Sequence, residues 1–242
     1  MQQYFVKEDL ALHQDIVLDE EQAHHVQHVL RMKEGTNIRI ANFKKQVYLA
    51  HIVWKEKQVI AHLDACIDVF DSGHDITLAA ALIKGDKWDF LLQKVCELGV
   101  STIQPFVSKR CVVKVKDEKK EKKGQRWNKI ALEACEQCKR SDIVVVKEVV
   151  NIENIVQGEY DLKLVAYENA DHLAMKLKDT LQAYPNALRI LCVIGPEGGF
   201  EAEEIKMLMA QGFFCVSLGS RILRAETAAL SMVNTLRFFY DC

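Results

Sequence analysis

No apolar run in the sequence approaches the roughly 20 residues that a membrane-crossing helix requires. The first residues, Met1-Gln-Gln-Tyr-Phe-Val-Lys-Glu-Asp9, lack the basic-then-apolar pattern of a secretory leader. Strong charge of either sign is also missing: 32 Lys and Arg stand against 34 Asp and Glu, a formal net charge of -2. The chain as a whole is therefore no electrostatic match for nucleic acid, and any such contact must use a local patch. No GxGxxG follows a strand-like run and no GxxxxGK[ST] occurs, which opposes a dinucleotide-binding dehydrogenase and a P-loop hydrolase. The 8 cysteines form no disulfide-like framework. They are scattered through apolar runs and helical stretches, as expected of buried reduced thiols in a cytoplasmic protein. Cys135-x-x-Cys138 has no second pair to complete a zinc site, and His24 and His28, four apart, stand without a further ligand pattern, so no metal is expected.

What is present suffices for a sizeable core: 49% of the 242 residues are apolar. Residues 1–70 read as a small β-rich unit. Ile38–Ile40, Val47–Val53 and Val59–Ile67 alternate with period two, behind a helix over Asp19–Met32 that Asp19 would cap. Asp68–Asp75 interrupts the pattern as a linker. Beyond it, in 71–242, continuous apolar runs of strand length (Ile76–Ile83, Thr102–Val107, Ile143–Val149, Leu162–Tyr167, Leu188–Ile194) alternate with helical spacing over Trp88–Leu98, Arg126–Arg140 and Asp171–Ala183. Strands buried on both faces and separated by helices predict an α/β domain with a mainly parallel sheet and helices on both faces.

Two loops dominate the last quarter. Ile194-Gly-Pro-Glu-Gly-Gly-Phe200 and Leu218-Gly-Ser-Arg-Ile-Leu-Arg-Ala-Glu-Thr227 each follow an apolar strand-like run and lead into a helix. Loops at the carboxyl ends of sheet strands are where such folds hold ligands. Gly195, Gly198 and Gly199 would allow positive φ and close backbone approach, with Pro196 stiffening the entry. Leu218, Ile222 and Leu223, interleaved with Gly219, Arg221 and Arg224, suggest a flat apolar group held between side chains. Elsewhere, Lys109 to Arg140 holds 12 Lys and Arg against 5 Asp and Glu. The run 116–123 within it reads by itself as a solvated mixed-charge loop, and its placement beside the polar face Glu133, Glu136, Gln137, Arg140 allows an RNA-facing patch.

The stretches GPEGGF and LGSRILRAETA resemble the signature of the RsmE family of SPOUT methyltransferases. His25-x-x-His28-Val-Leu-Arg31, Lys94-x-x-Glu97-Leu-Gly-Val100 and Glu133-Ala-x-Glu-Gln-x-x-Arg140 agree with it, so the resemblance spans nearly the whole chain. It departs from the family at Gln3, Glu201 and Val144, where members often carry Arg, Ser or Thr, and Pro. The resemblance implies a PUA-like β-barrel RNA-binding domain over 1–70 and a SPOUT methyltransferase domain with a C-terminal trefoil knot over 71–242, working as a homodimer. It further implies S-adenosylmethionine as methyl donor and N3 of a uridine in 16S ribosomal RNA of the small subunit as acceptor.

Carried onto this chain, the cofactor would meet Ile194, Gly195, Pro196, Glu197, Gly198 and Gly199 in one loop and Leu218, Gly219, Ile222, Leu223 and Arg224 in the other. Glu226 and Thr227 would join them at the start of the last helix. RNA would meet His25, His28, Arg31, Arg110, Arg126, Gln137 and Arg140, although the first three read equally well as ordinary helix residues. Uracil N3 must lose a proton for attack, so a cation that stabilises the anionic ring is required nearby. Arg224 is the leading candidate and Arg140 the second, while Glu197 and Glu226 are read as structural or cofactor-orienting. A non-catalytic RNA-binding or ribosome-assembly module is the alternative.

Overall fold

A computed structural model describes residues 1–69, 73–113, 120–167 and 175–241. The chain forms two compact units, Met1–Asp71 with Cys135–Ile143, and Ser72–Ala134 with Val144–Cys242. No helix among the described residues is long and apolar enough to cross a membrane.

In the first unit five strands, β1 (Gln3–Val6), β2 (Asp15–Val17), β3 (Asn37–Asn42), β4 (Val47–Lys55) and β5 (Gln58–Cys66), make a curled sheet in the order β1-β3-β4-β5-β2. Only β1 and β3 run parallel. Period-two alternation turns Tyr4, Val6, Ile16, Ile38, Ile40, Ala50 and Ile52 into one core. The three longer strands match the sequence expectation. The other two are too short for alternation to reveal them.

Helix α1 (Glu20–His24) begins at Asp19, whose side chain accepts from the Gln22 N–H at 2.8 Å while Gln22 Oε1 takes the Asp19 N–H, a reciprocal capping box. It does not run on to Met32. His25–Val29 forms a π-turn that keeps Val26 buried, and Arg31 then adopts φ 49°, reversing the chain toward β3.

Among its described residues the second unit holds eight strands, all paired in parallel: β6 (Asp75–Ala81), β7 (Thr102–Val107), β8 (Val145–Val146), β9 (Val150–Asn151), β10 (Leu162–Ala166), β11 (Met175–Lys176), β12 (Arg189–Ile194) and β13 (Phe214–Ser217). Their order is β11-β13-β10-β12-β6-β7-β8, with β9 also beside β7. The helices are α2 (Gly85–Glu97), α3 (Lys120–Gln137), α4 (Leu177–Ala183), α5 (Ala202–Ala210) and α6 (Ala225–Asp241). Apolar runs without alternation become these strands because parallel strands covered on both faces need no polar side.

Several boundaries differ from expectation. Of the strand expected over Ile143–Val149 only β8 forms, with Val144 buried just before it, and β9 follows past the expected end. The helix expected over Asp171–Ala183 starts at Leu177, after β11; residues 171–174 lie outside the described set, as do 70–72 of the linker and 116–119 of the charged run. The rest of that run, Lys120–Lys123, is the first turn of α3 rather than a loop.

Helix α3 ends at Gln137, three residues early. Lys139 takes φ 61° and the Arg140 N–H donates to Cys135 O at 3.0 Å, a Schellman-type stop that turns Arg140 off the helical face. The polar face expected to be open is partly engaged within the first unit. Glu136 Oε1 accepts the Phe5 N–H at 3.1 Å, and Gln3, fully buried, donates its amide to Arg140 O at 2.6 Å. Position 3 is therefore no surface contact. Cys135 is buried and Cys138 half-buried, as read for a core-facing pair.

Candidate functional site

The carboxyl ends of β10, β12 and β13 open onto a cavity of about 470 Å³ in the second unit, within the roughly 300–1,000 Å³ range of small-molecule sites. Its walls are the two loops singled out in the sequence. Ile194, Gly195, Pro196, Glu197, Gly198 and Gly199 line one side, and Leu218, Gly219, Ile222, Leu223 and Arg224 the other. Glu226 and Thr227 are not among the lining residues. Glu226 sits in the first turn of α6 with Oε2 buried and without a hydrogen-bond partner, and Thr227 is exposed.

The glycines of the first loop serve different ends. Gly199 adopts φ 70° and needs glycine for conformation. Gly195 and Gly198 do not take positive φ, contrary to the sequence expectation; they are short of space. A Cβ on Gly195 would lie 2.8 Å from the Phe200 ring, and one on Gly198 would lie 3.1 Å from Arg110 Cβ. Phe200 cannot easily give way, because its ring stacks on buried Phe106 with centroids 6.5 Å apart and planes 4° from parallel.

Arg110 and the start of α5 brace this loop from outside. The guanidinium donates Nε and Nη2 to the two carboxylate oxygens of Glu201 at 2.8 and 3.1 Å, and Nη1 to Gly198 O at 3.0 Å. The hydrogen bond from Arg110 and its charge hold the Glu201 carboxyl below its usual range, and Glu201 in turn raises the Arg110 pKa. Glu204, only 4% exposed, accepts the Lys109 N–H on Oε1 at 2.9 Å and the Glu201 N–H on Oε2 at 2.8 Å. A Glu at position 201 is thus tied to Arg110 and stands where α5 begins.

The second loop is held by less. Ser217 Oγ accepts from the Gly219 N–H at 3.3 Å and donates to Gly219 O at 3.1 Å, while Gly219 takes φ 129°. Past that turn Arg221, Ile222 and Arg224 are exposed, Ile222 by 81%. The arrangement offers apolar walls, backbone polar groups from two glycine turns, and cations at the rim. Lys87, from the first turn of α2, reaches Glu197 at 3.4 Å.

Sequence reasoning named Arg221 in the second loop but missed Lys87, Ala166, Tyr167, Phe200, Ser217, Ala225 and Ala228 among the lining residues. Tyr167 was within reach of the carboxyl-end rule, since it follows β10 directly. Lys87 carried no local signal.

The residues read as RNA contacts fall into two classes. His28 and Arg31 are exposed on the first unit, and the His28 ring lies 4.8 Å from that of His24. Gln137 is exposed in the last turn of α3. His25 is half-buried, its Nδ1 3.0 Å from the Tyr4 hydroxyl, and burial together with Glu136 raises the Tyr4 pKa. Three arginines are already paired: Arg110 as described, Arg126 with Asp89, and Arg140, which forks Nε and Nη2 onto Asp142 at 2.9 and 2.8 Å. Arg140, the second catalytic candidate, is therefore a member of the first unit with its charge engaged. Among the described residues no group of three or more His, Cys, Asp or Glu could hold a metal ion.

Known proteins share this architecture. Residues 71–237 match the family model described as an RNA methyltransferase domain, and residues 18–63 that described as an RNA methyltransferase PUA domain. The ribosomal RNA small subunit methyltransferase E of Bacillus subtilis (strain 168) is 32% identical, over 98% of this chain and 96% of its own. A solved ribosomal RNA small subunit methyltransferase E from Neisseria gonorrhoeae, bound to S-adenosyl methionine, is 30% identical with a TM-score of 0.89, covering 99% of this chain and 98% of that one. A methyltransferase from Legionella pneumophila in complex with its bound cofactor SAM is 33% identical with a TM-score of 0.87, covering 98% of this chain and 96% of that one.

Proposed function

Because the chain belongs to the ribosomal RNA small subunit methyltransferase E family, we propose that it transfers a methyl group from S-adenosylmethionine to N3 of a uridine in 16S ribosomal RNA. The observation that carries this is the cavity between the two glycine-bearing loops. Its donor set suits the cofactor: apolar Ile194, Leu218, Ile222, Leu223 and Ala228 for a flat adenine, and main-chain polar groups of the glycine turns for its edge. The bound cofactor supplies a methyl group already activated on a sulfonium. The protein's task is then alignment and charge.

In that reading the first loop fixes the donor's position. Arg224, exposed at the cavity wall, would stabilise the negative charge that spreads over the uracil ring once its N3 proton has passed to solvent water, leaving N3 able to take the methyl group as its bond to the sulfonium sulfur breaks. Glu197, paired with Lys87, orients rather than abstracts. Residues 1–70 serve as a PUA-like RNA-binding domain that captures substrate within the small ribosomal subunit, in the cytoplasm. His25, His28, Arg31, Arg110, Arg126, Gln137 and Arg140 are the proposed RNA-side residues, with Arg140 as second cation. Residues 71–242 form the methyltransferase domain, with the C-terminal chain knotted. Two copies pair through α6, a proposal supported by Phe238, 72% exposed on that helix.

The test is a methylation map of 16S ribosomal RNA from cells with and without the protein, joined to calorimetry with S-adenosylmethionine. One uridine position should lose its N3 methyl group in the deletion and regain it on complementation. An unchanged map together with cofactor binding would leave a binding or assembly module as the better reading.

A further inference from the structure

The arginines that motifs single out for RNA are mostly neutralised by the protein itself: Arg110 by Glu201, Arg126 by Asp89 and Arg140 by Asp142. Arg39, which no motif marks, is the opposite case. It lies in the middle of β3, half-buried, with Nε shut off from solvent and without a hydrogen-bond partner. Burial lowers its pKa, and among the described residues no carboxylate opposes that shift.

Its neighbours explain why. On β1 the register partner of Arg39 is Gln3, and on β4 it is Leu49. Register partners on adjacent strands leave the sheet on the same face. The row Gln3, Arg39, Leu49 therefore carries one full positive charge and no negative one. Gln3 is fully buried, donates its amide to Arg140 O, and keeps Oε1 without a donor. A partly desolvated guanidinium with no counter-ion among the described residues is unfavourable in the free protein, and that penalty is relieved when an anion reaches its remaining nitrogens. The planar fork of arginine fits the oxygens of a phosphate group.

We propose that Arg39, set beside Gln3 on the face shared by β1 and β3, is an RNA phosphate contact of the first unit. The inference rests on the RNA-methylation reading, which supplies RNA as the source of the phosphate. It adds to that reading a specific cation, one that acts on capture rather than on methyl transfer.

The experiment compares the full-length protein with Arg39→Gln, Arg39→Lys and Arg39→Met. Binding to a 16S ribosomal RNA fragment and to small subunits is measured over a range of salt, alongside cofactor calorimetry and thermal melting. Arg39→Gln should bind RNA on the order of tenfold more weakly, as expected for a lost hydrogen bond to a charged group. Its salt slope should flatten by about 0.7–0.9, the release of one phosphate contact. Arg39→Lys should recover that slope. Cofactor affinity should not change, and melting should hold or rise, since an unpaired half-buried charge has gone; a merely structural arginine would lower it. A wild-type slope and affinity in Arg39→Gln, with the wild-type protein binding RNA, overturns this inference alone. Failure of Arg39→Gln and Arg39→Met alike to fold also overturns it, by making the guanidinium a structural group. A wild-type protein that binds neither RNA overturns the activity reading and this one with it.

Discussion

The two walls of the cavity are built on opposite principles. The loop after β12 is braced from three sides: Phe200 stacks on Phe106, Arg110 grips Glu201 and Gly198 O, and Glu204 gathers the Lys109 and Glu201 N–H groups. The loop after β13 has the Ser217–Gly219 turn and then four exposed side chains, Ser220, Arg221, Ile222 and Arg224. A braced wall loses little freedom when a ligand arrives, whereas an open one must be ordered by it. The difference assigns labour. On the proposed function, the first loop is expected to fix the methyl donor, and the second, which carries Arg224, to be ordered by it. Hydrogen exchange should show the same contrast, with amides of 219–224 slowed by cofactor far more than those of 195–200.

The strongest way to break the comparison is to remove the Arg224 charge from the second loop. Arg224→Ala should bind RNA nearly as the wild type does, yet at saturating cofactor lose turnover by on the order of a hundredfold or more, the scale of one lost transition-state contact. Single-turnover methylation with saturating RNA reads this step apart from binding. Arg224→Lys keeps charge but loses the planar fork, so partial recovery would assign the effect to charge alone. A full-speed Arg224→Ala enzyme would show that the catalytic cation lies elsewhere.

The next effect strikes the first loop. In Gly195→Val the added side chain meets a Phe200 ring that Phe106 backs, so the braced wall itself must move. Overpacking of this kind costs about 1–3 kcal/mol. Cofactor affinity should fall roughly five- to a hundredfold on that scale. Calorimetry and melting measured together separate a shifted loop from a weakened fold. An equal affinity in Gly195→Val would mean that the first loop is as pliant as the second.

Both loops were legible in the sequence because glycines and alternating apolar and basic residues punctuate strand-like runs, and the parallel sheet was legible because its strands lack polar alternation. The bracing was not. Arg110 reads as one of 12 cations in a basic stretch, and only the fold brings it to Glu201, 91 residues away. Arg140 shows the converse error. Helical spacing put it on a polar face, but the left-handed turn at Lys139 ends the helix first and delivers the guanidinium to Asp142. Lys139 is an ordinary-looking lysine, and no residue-level preference announces φ 61° there. In the first unit, β1 and β2 of four and three residues escaped because so few positions cannot show a period.

The smallest expected effect sharpens the comparison by testing whether charge is what stiffens the first loop. Arg110 and Glu201 are both substantially exposed, so solvent screens their pairing and the change should be modest. The Glu201 carboxyl is depressed below its ordinary 4.5, first through the hydrogen bond from Arg110. A carboxyl depressed on folding contributes stability that is present above its unfolded pKa and is lost as pH falls through the folded value. Arg110 stays charged throughout, because its own shift is upward. Glu201→Gln should therefore melt slightly below wild type at neutral pH and bind cofactor about two- to threefold more weakly, in keeping with an exposed pair. As the pH drops below the ordinary value of 4.5 the two proteins should converge, since protonation removes from the wild type what the substitution has already removed. Melting curves of both proteins from neutral pH into the acid range measure that difference directly. A gap that persists in acid would show that Glu201 holds the loop by shape and neutral hydrogen bonding, and the rigidity of the first wall would then owe nothing to its charge.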